Sequence, residues 1–95
     1  MGEATRKSKK ASNMLKAIAH PVRIDIIRLL RDGKRMSVTE IFEHLNMKQA
    51  TISQHLRILK DRDAVVCERD GKNRYYYLKH IRLIQVIYCI DRCCE

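Results

Sequence analysis

Acid is scarce in this sequence. Against 20 Lys and Arg stand 11 Asp and Glu, which leaves the 95-residue chain at a net charge of +9. A balance of this size points to a polyanionic partner and does not by itself choose between duplex DNA, RNA and an acidic membrane surface. No apolar run is long enough to span a bilayer, and no hydrophobic signal segment opens the chain, so the expectation is a soluble intracellular protein with no membrane partner. One Pro and three Gly leave little material for a linker, and no internal repeat is visible. A single domain with a modest core follows. No nucleophile–base pair, phosphate loop or His/Cys spacing of a zinc finger occurs, and so short a chain leaves little room for a substrate pocket. An enzyme is not expected.

What is present concentrates between Ser37 and Leu78. Ser37-Val38-Thr39-Glu40 has the Ser-x-x-Glu spacing of a capping box, in front of Ile41, Phe42 and Leu45. Such a box satisfies two orphan donors at a helix start, and the apolar spacing then buries one face. After Asn46-Met47 a second helix opens at about Lys48, with Ile52, Leu56 and Leu59 directed to the core. Left pointing outward are Lys48, Gln49, Ala50, Thr51, Ser53, Gln54 and Arg57. Gln and Arg bond base edges bidentately, Ser and Thr reach phosphates, and Ala or a Thr methyl touches thymine, so this mixture suits a major groove. The plain alternative is an ordinary solvated helix face.

The segment that follows tips the balance. Ala64-Val65-Val66-Cys67-Glu68-Arg69 and Tyr75-Tyr76-Tyr77-Leu78 are β-prone runs, and Asp70-Gly71-Lys72-Asn73 between them carries an Asp-Gly turn. Arg69, Lys72, Asn73 and Arg74 then cluster at the tip of a two-stranded wing beside the second helix, in reach of a phosphate or a minor groove. Two helices, a tight turn and a basic hairpin in that order are a winged helix-turn-helix, and the chain is expected to read double-stranded DNA. A winged helix serving as a protein-interaction or RNA-binding module is the alternative.

At the amino end, residues 1–10 read as a loose arm with Arg6, Lys7, Lys9 and Lys10 against Glu3, and residues 11–95 as the folded domain. Ala11, Met14, Leu15 and Ile18 share one helical face. His20-Pro21 breaks that run, and Pro21 is placed to start a helix carrying Ile24, Ile27 and Leu30, closed by Asp32-Gly33-Lys34. Near the carboxyl end Ile81, Leu83, Ile84, Val86, Ile87, Tyr88 and Ile90 make a helix apolar almost all round, more than a small monomer is expected to bury. Packing against a second copy is the expectation, and a two-fold dimer would match a two-fold operator.

These segments together resemble the ArsR/SmtB family of bacterial winged-helix repressors. The resemblance rests on Leu15-Lys16-Ala17-Ile18-Ala19-His20-Pro21-Val22-Arg23-Ile24, on Met47 to Leu59, and on the Tyr-rich wing Arg69 to Leu78. It implies a mostly α fold of about five helices with a two-stranded β-wing, and a homodimer through the first and last helices, with Leu15, Ile18, Leu83, Ile84, Ile87 and Ile90 at the interface. It also implies a cytoplasmic bacterial repressor that occupies the operator of its own operon and is released by an inducer. Recognition-helix contacts fall on Gln49, Ala50, Ser53 and Gln54, with Lys48 and Thr51 nearby and Lys72 and Arg74 from the wing. Many relatives start this helix with a Ser cap where Lys48 stands. Lysine opposes the helix dipole and caps nothing, at a cost of about 1 kcal/mol, which a phosphate contact would offset.

The family's familiar inducer sites are not intact. Val38 to Met47 lacks the Cys-x-Cys of arsenic and cadmium sensors, and the positions of the terminal-helix zinc or nickel site fall on His80, Arg82 and Cys93. Four cysteines remain: Cys67 in the wing, and Cys89, Cys93 and Cys94 near the carboxyl end. Three readings of the last group stand side by side. They fill an apolar interface, they sense oxidants or persulfide as thiols, or they bind arsenite or a soft metal ion, Cys89 and Cys93 being one helical turn apart. An intrachain disulfide across that turn has poor geometry. Cys67 reads as core, His44 as an exposed position, His20 as the residue before Pro21, and His55 as part of the recognition helix rather than a metal cage.

Overall fold

In a computed structural model describing residues 5–95, helix α1 (Arg6–Ile18) starts on Thr5, whose Oγ1 accepts from the Ser8 amide at 3.0 Å. This corrects the start at Ala11 and the arm over residues 1–10. Residues 6–10 are helical because a Thr cap and not an apolar stripe begins the helix, and hydrophobic periodicity is blind to a solvated first turn. Positions 1–4, part of that arm, lie outside the described residues.

Helix α2 (Pro21–Leu29) has Pro21 in its first turn as its sequence implies, and its cap is His20, whose Nδ1 accepts from the Val22 amide at 3.1 Å. A 3₁₀ turn (Arg31–Gly33) with Asp32 and Gly33 at positive φ ends it. Strand β1 (Met36–Ser37) leads straight into α3 (Val38–Leu45), and left-handed Asn46 turns the chain toward α4 (Gln49–Asp61). Strands β2 (Val65–Asp70) and β3 (Asn73–Leu78) form the hairpin, and α5 (Leu83–Cys93) closes the chain.

The expected two-stranded wing is a three-stranded antiparallel sheet in the order β1-β3-β2. Met36 pairs with Tyr76 and Ser37 with Tyr75. Two residues are too few to show the period-2 pattern of a strand, so β1 leaves no trace in the sequence. Because Ser37 is also the cap of α3, this pairing anchors the hairpin to the start of the helix-turn-helix.

The core is built where α2, α3, α4 and α5 meet, around Ile26, Ile27, Leu30, Ile41, Ile52, Leu56, Leu59 and Ile87. Each such side chain contributes about 1.5–3 kcal/mol by leaving water. Among the described residues no polar or charged residue is fully buried. Part of the expected interface belongs to this core: Ile18, Leu83, Ile84 and Ile87 are buried within the protomer itself, against α2 and its neighbours. Of the six expected interface positions, Leu15 and Ile90 are exposed on the protomer surface. The outward apolar residues are Leu15, Ile81, Val86, Tyr88 and Ile90, each between 40% and 58% exposed.

Candidate nucleic-acid interface

The start of α3 is held from both sides. Ser37 Oγ accepts from the Glu40 amide at 3.1 Å while the Glu40 carboxylate accepts from the Ser37 amide at 2.9 Å, completing the capping box that places α3. At the start of α4 Lys48 occupies the cap position and makes no side-chain cap bond, and the first turn contains no acid. The positive end of the helix dipole and its uncapped amides therefore face outward beside an ammonium group, an arrangement that attracts a phosphate.

Burial divides α4 as its spacing predicts. Ile52, Leu56 and Leu59 are buried, and Lys48, Gln49, Ala50, Ser53, Gln54 and Arg57 are exposed. Thr51 is half-buried, so the structure sets it at the flank of the outward face and not at its centre. The helix has no acid before Asp61, its last residue.

The wing turns through Gly71 and Lys72, beyond the last pair Asp70–Asn73. Gly71 has φ +63° and Lys72 no positive φ, the pattern of a type II′ hairpin, which needs glycine first. Register separates the two faces of the hairpin. Toward the core lie Val65 opposite Leu78 and Cys67 opposite Tyr76, and on that same face at the tip Arg69 stands directly across from Arg74. Like charges so placed repel each other unless an anion comes between them. On the other face Tyr77 donates to Glu68 at 2.5 Å, and Arg35 pairs with Glu68 while stacking 4.8 Å from the Tyr77 ring centre. The Tyr77 hydroxyl and then Arg35 hold the Glu68 carboxyl below its usual range. Its charge is thus engaged and does not oppose an approaching polyanion.

Of the 20 Lys and Arg, four have a carboxylate of the described residues within reach and sixteen do not. Arg28, Arg31, Arg35 and Lys79 each have a carboxylate within 4.0 Å. Lys48, Arg57, Arg69, Lys72 and Arg74 have none among the described residues.

The thiols are free and lie in two places: Cys67 is half-buried in β2, and Cys89, Cys93 and Cys94 are exposed on α5 and at its end. Among the described residues no group of three or more His, Cys, Asp or Glu could hold a metal ion. The concavities flank α1, one of about 470 Å³ lined by Ser8, Lys9, Ser12, Asn13 and Lys16, another of about 360 Å³ that includes Lys10, Arg62 and Lys79. His44 is exposed, but in the last turn of helix α3 and not on a loop turn. What the sequence did not reveal is that His20 and His55 touch, ring centres 4.4 Å apart, because neither residue's neighbours in sequence announce the contact.

Comparison with known proteins fits this geometry. Residues 20–65 match the family described as bacterial regulatory protein, arsR family. Over 85 residues the chain is 35% identical to a helix-turn-helix transcriptional regulator of Methanocaldococcus jannaschii, spanning 90% of this chain and 96% of that one. The chain belongs to the arsR family. Like the members of that family it is a DNA-binding transcriptional regulator. It is 32% identical over 79 residues to an arsenical resistance operon repressor of Staphylococcus aureus, covering 83% of this chain and 75% of the relative. Its fold superimposes with a TM-score of 0.78 on a homodimeric winged helix-turn-helix DNA-binding domain from Mycobacterium bovis, at 25% identity over 99% of this chain and 89% of that one. Among the described residues no helix is long and apolar enough to cross a membrane.

Proposed function

We propose that the protein is a homodimeric repressor that lays α4 of each protomer in the major groove of a two-fold operator and sets the wing on the flanking backbone. The observation that carries this reading is that five exposed cations, Lys48, Arg57, Arg69, Lys72 and Arg74, stand together on one helix start, one helix face and one hairpin tip with no carboxylate among the described residues to neutralise them. In this reading Gln49 and Gln54 bond base edges, Ala50 and the Thr51 methyl touch thymine, and Ser53 and Asn73 bond the sugar-phosphate backbone. Arg69 and Arg74 share a phosphate that relieves their mutual repulsion.

Dimerisation is supported by the homodimeric relative and by an apolar surface that one protomer leaves open. On α5 the exposed Val86, Cys89, Ile90 and Cys93 recur at helical spacing and form a single outward stripe, to which Leu15 of α1 adds. A partner over this stripe covers Cys89 and Cys93 and brings a second pair of thiols near the two-fold axis. Release by an inducer acting on Cys89, Cys93 and Cys94 follows in this reading, through arsenite, a soft metal ion or thiol oxidation. The site of action is the bacterial cytoplasm.

The test is the affinity of the reduced protein for its own promoter, compared with random duplex and repeated with arsenite, zinc and a mild oxidant or persulfide donor. Preference for the promoter that one treatment abolishes is the expected result and identifies the signal. Preference indifferent to all of them reduces the cysteines to interface packing. Equal affinity for every duplex rejects operator reading and favours a protein-interaction or RNA-binding module.

A further inference from the structure

We infer that His20 and Arg23 are positioning residues for the recognition helix: acting on His55, they seat α4 against α2 while the His55 imidazole is neutral, and acidification releases it. The inference deepens the DNA-reading assignment and rests on it for its affinity readout.

The contact joins the N-terminal end of α2 to the flank of α4. His20 Nδ1 accepts the Val22 amide at 3.1 Å, so that nitrogen carries a lone pair and the ring's proton sits on Nε2. Protonation at Nδ1 would abolish the cap of α2. The His55 ring tilts 42° against the His20 ring at 4.4 Å. Its own Nδ1 is sealed from solvent with no hydrogen-bond partner among the described residues, and so is the Nε of Arg23. Two sealed polar atoms without a partner, one on α2 and one on α4, are uncommon in a small domain, where nearly all buried polar groups are paired.

The groups that act on His55 all oppose a positive charge there. Helix α2 brings His20 and Arg23 to bear on it; α1, α3 and β2, which also pack on α4, bring no titratable group that acts on the ring. Burial first, then His20 and Arg23, push the His55 pKa below the ordinary histidine value. A proton that does arrive adds a positive charge that Arg23 already opposes, with no carboxylate among the groups acting on the ring. The relief available is separation of α4 from α2.

That movement reaches the DNA-reading surface. His55 adjoins Gln54 in sequence and lies one turn after Thr51, between the buried side of α4 (Ile52, Leu56, Leu59) and its exposed side (Gln54, Arg57). A shift at this flank re-aims the exposed side chains as a unit. Base contacts depend on aim, whereas phosphate attraction depends mainly on charge. Specific affinity therefore falls in acid while affinity for random duplex is maintained or rises.

Fluorescence anisotropy at constant ionic strength, from about pH 8 down to about pH 5 across the histidine range, separates these outcomes. Promoter and scrambled duplex are titrated with wild type, His55→Phe and His20→Asn. Asn keeps a side-chain acceptor for the α2 cap. Wild type is expected to lose about tenfold in promoter affinity, equivalent to about one unit of pKa difference between free and bound protein, with no loss on scrambled duplex. His55→Phe is expected to show no such slope. In His20→Asn the acid midpoint moves up, since a group that lowers the His55 pKa is gone. Ring titration by NMR supplies a readout independent of DNA: His55 titrates below the usual histidine range, and the α4 amides shift with the same midpoint. Retention of the wild-type slope in His55→Phe, or α4 amides that ignore the His55 titration, overturns the inference. Should His55→Phe lack a cooperative melt, the midpoint of His20→Asn decides. Absence of promoter preference at every pH rejects the DNA-reading assignment instead, and the NMR coupling still judges the histidine pair.

Discussion

Arg28 grips Asp91 through two parallel hydrogen bonds of 2.6 and 2.7 Å, across 63 positions of sequence. The pair ties the far end of α5 back to α2. It matters because α5 has one buried side, Leu83, Ile84 and Ile87, and one open side, and the ion pair orients the helix between them.

The bond from Arg28 holds the Asp91 carboxyl below its usual range. A carboxyl with a depressed folded-state pKa contributes stability above its unfolded value of about 3.9, and that contribution is lost as pH falls through the lower folded value. Asp91→Asn is therefore expected to melt lower than wild type at about pH 7, with the gap closing in acid. The pair is partly exposed, so the effect should be small and shrink with salt. Thermal melts at two pH values and two ionic strengths check this; a gap that widens in acid would contradict it.

Ile87 and Ile90 separate the fold from self-association. Ile87 is 2% exposed and Ile90 is 43% exposed. Ile87→Glu buries an unpaired charge in the protomer core and is expected to cost about 3 kcal/mol or more, a large part of a small domain's stability. It should unfold the chain and not merely split a dimer. Ile90→Glu should keep a cooperative melt and sediment as a monomer, and a dimer that survived it would exclude the α5 stripe as the interface.

Gln54 and Lys72 are assigned different tasks. Gln54→Ala is expected to reduce discrimination between promoter and mismatched duplex by about 1–3 kcal/mol, as the loss of one base-edge contact does. Lys72→Ala should weaken binding to every sequence alike and lower the salt slope by about 1. Binding titrations on both duplexes at several salt concentrations distinguish the two. Equal losses on both duplexes for both variants would show the roles to be wrong.

Much of the interface was legible because its determinants lie within a few residues of one another. Ser37 and Glu40 make a capping box at a spacing of three, and the Ile52, Leu56 and Leu59 rhythm identifies the buried side of α4. Asp70-Gly71 announces the turn of the wing. The start of α1 is not legible because its first turn is polar throughout, and apolar residues all round α5 do not say which of them the protomer itself buries.

Local chemistry in the sequence by itself determined the helix caps, the helix-turn-helix spacing, the hairpin and the cationic character of the surface they form. Only the tertiary structure decided that Met36 and Ser37 join the sheet, that Arg35 engages Glu68 of the wing, that Ile87 is core while Ile90 is surface, and that His20 meets His55. The physical reason is that caps and turns are satisfied by near neighbours along the chain, whereas burial and ion pairing depend on which distant segment the fold brings alongside.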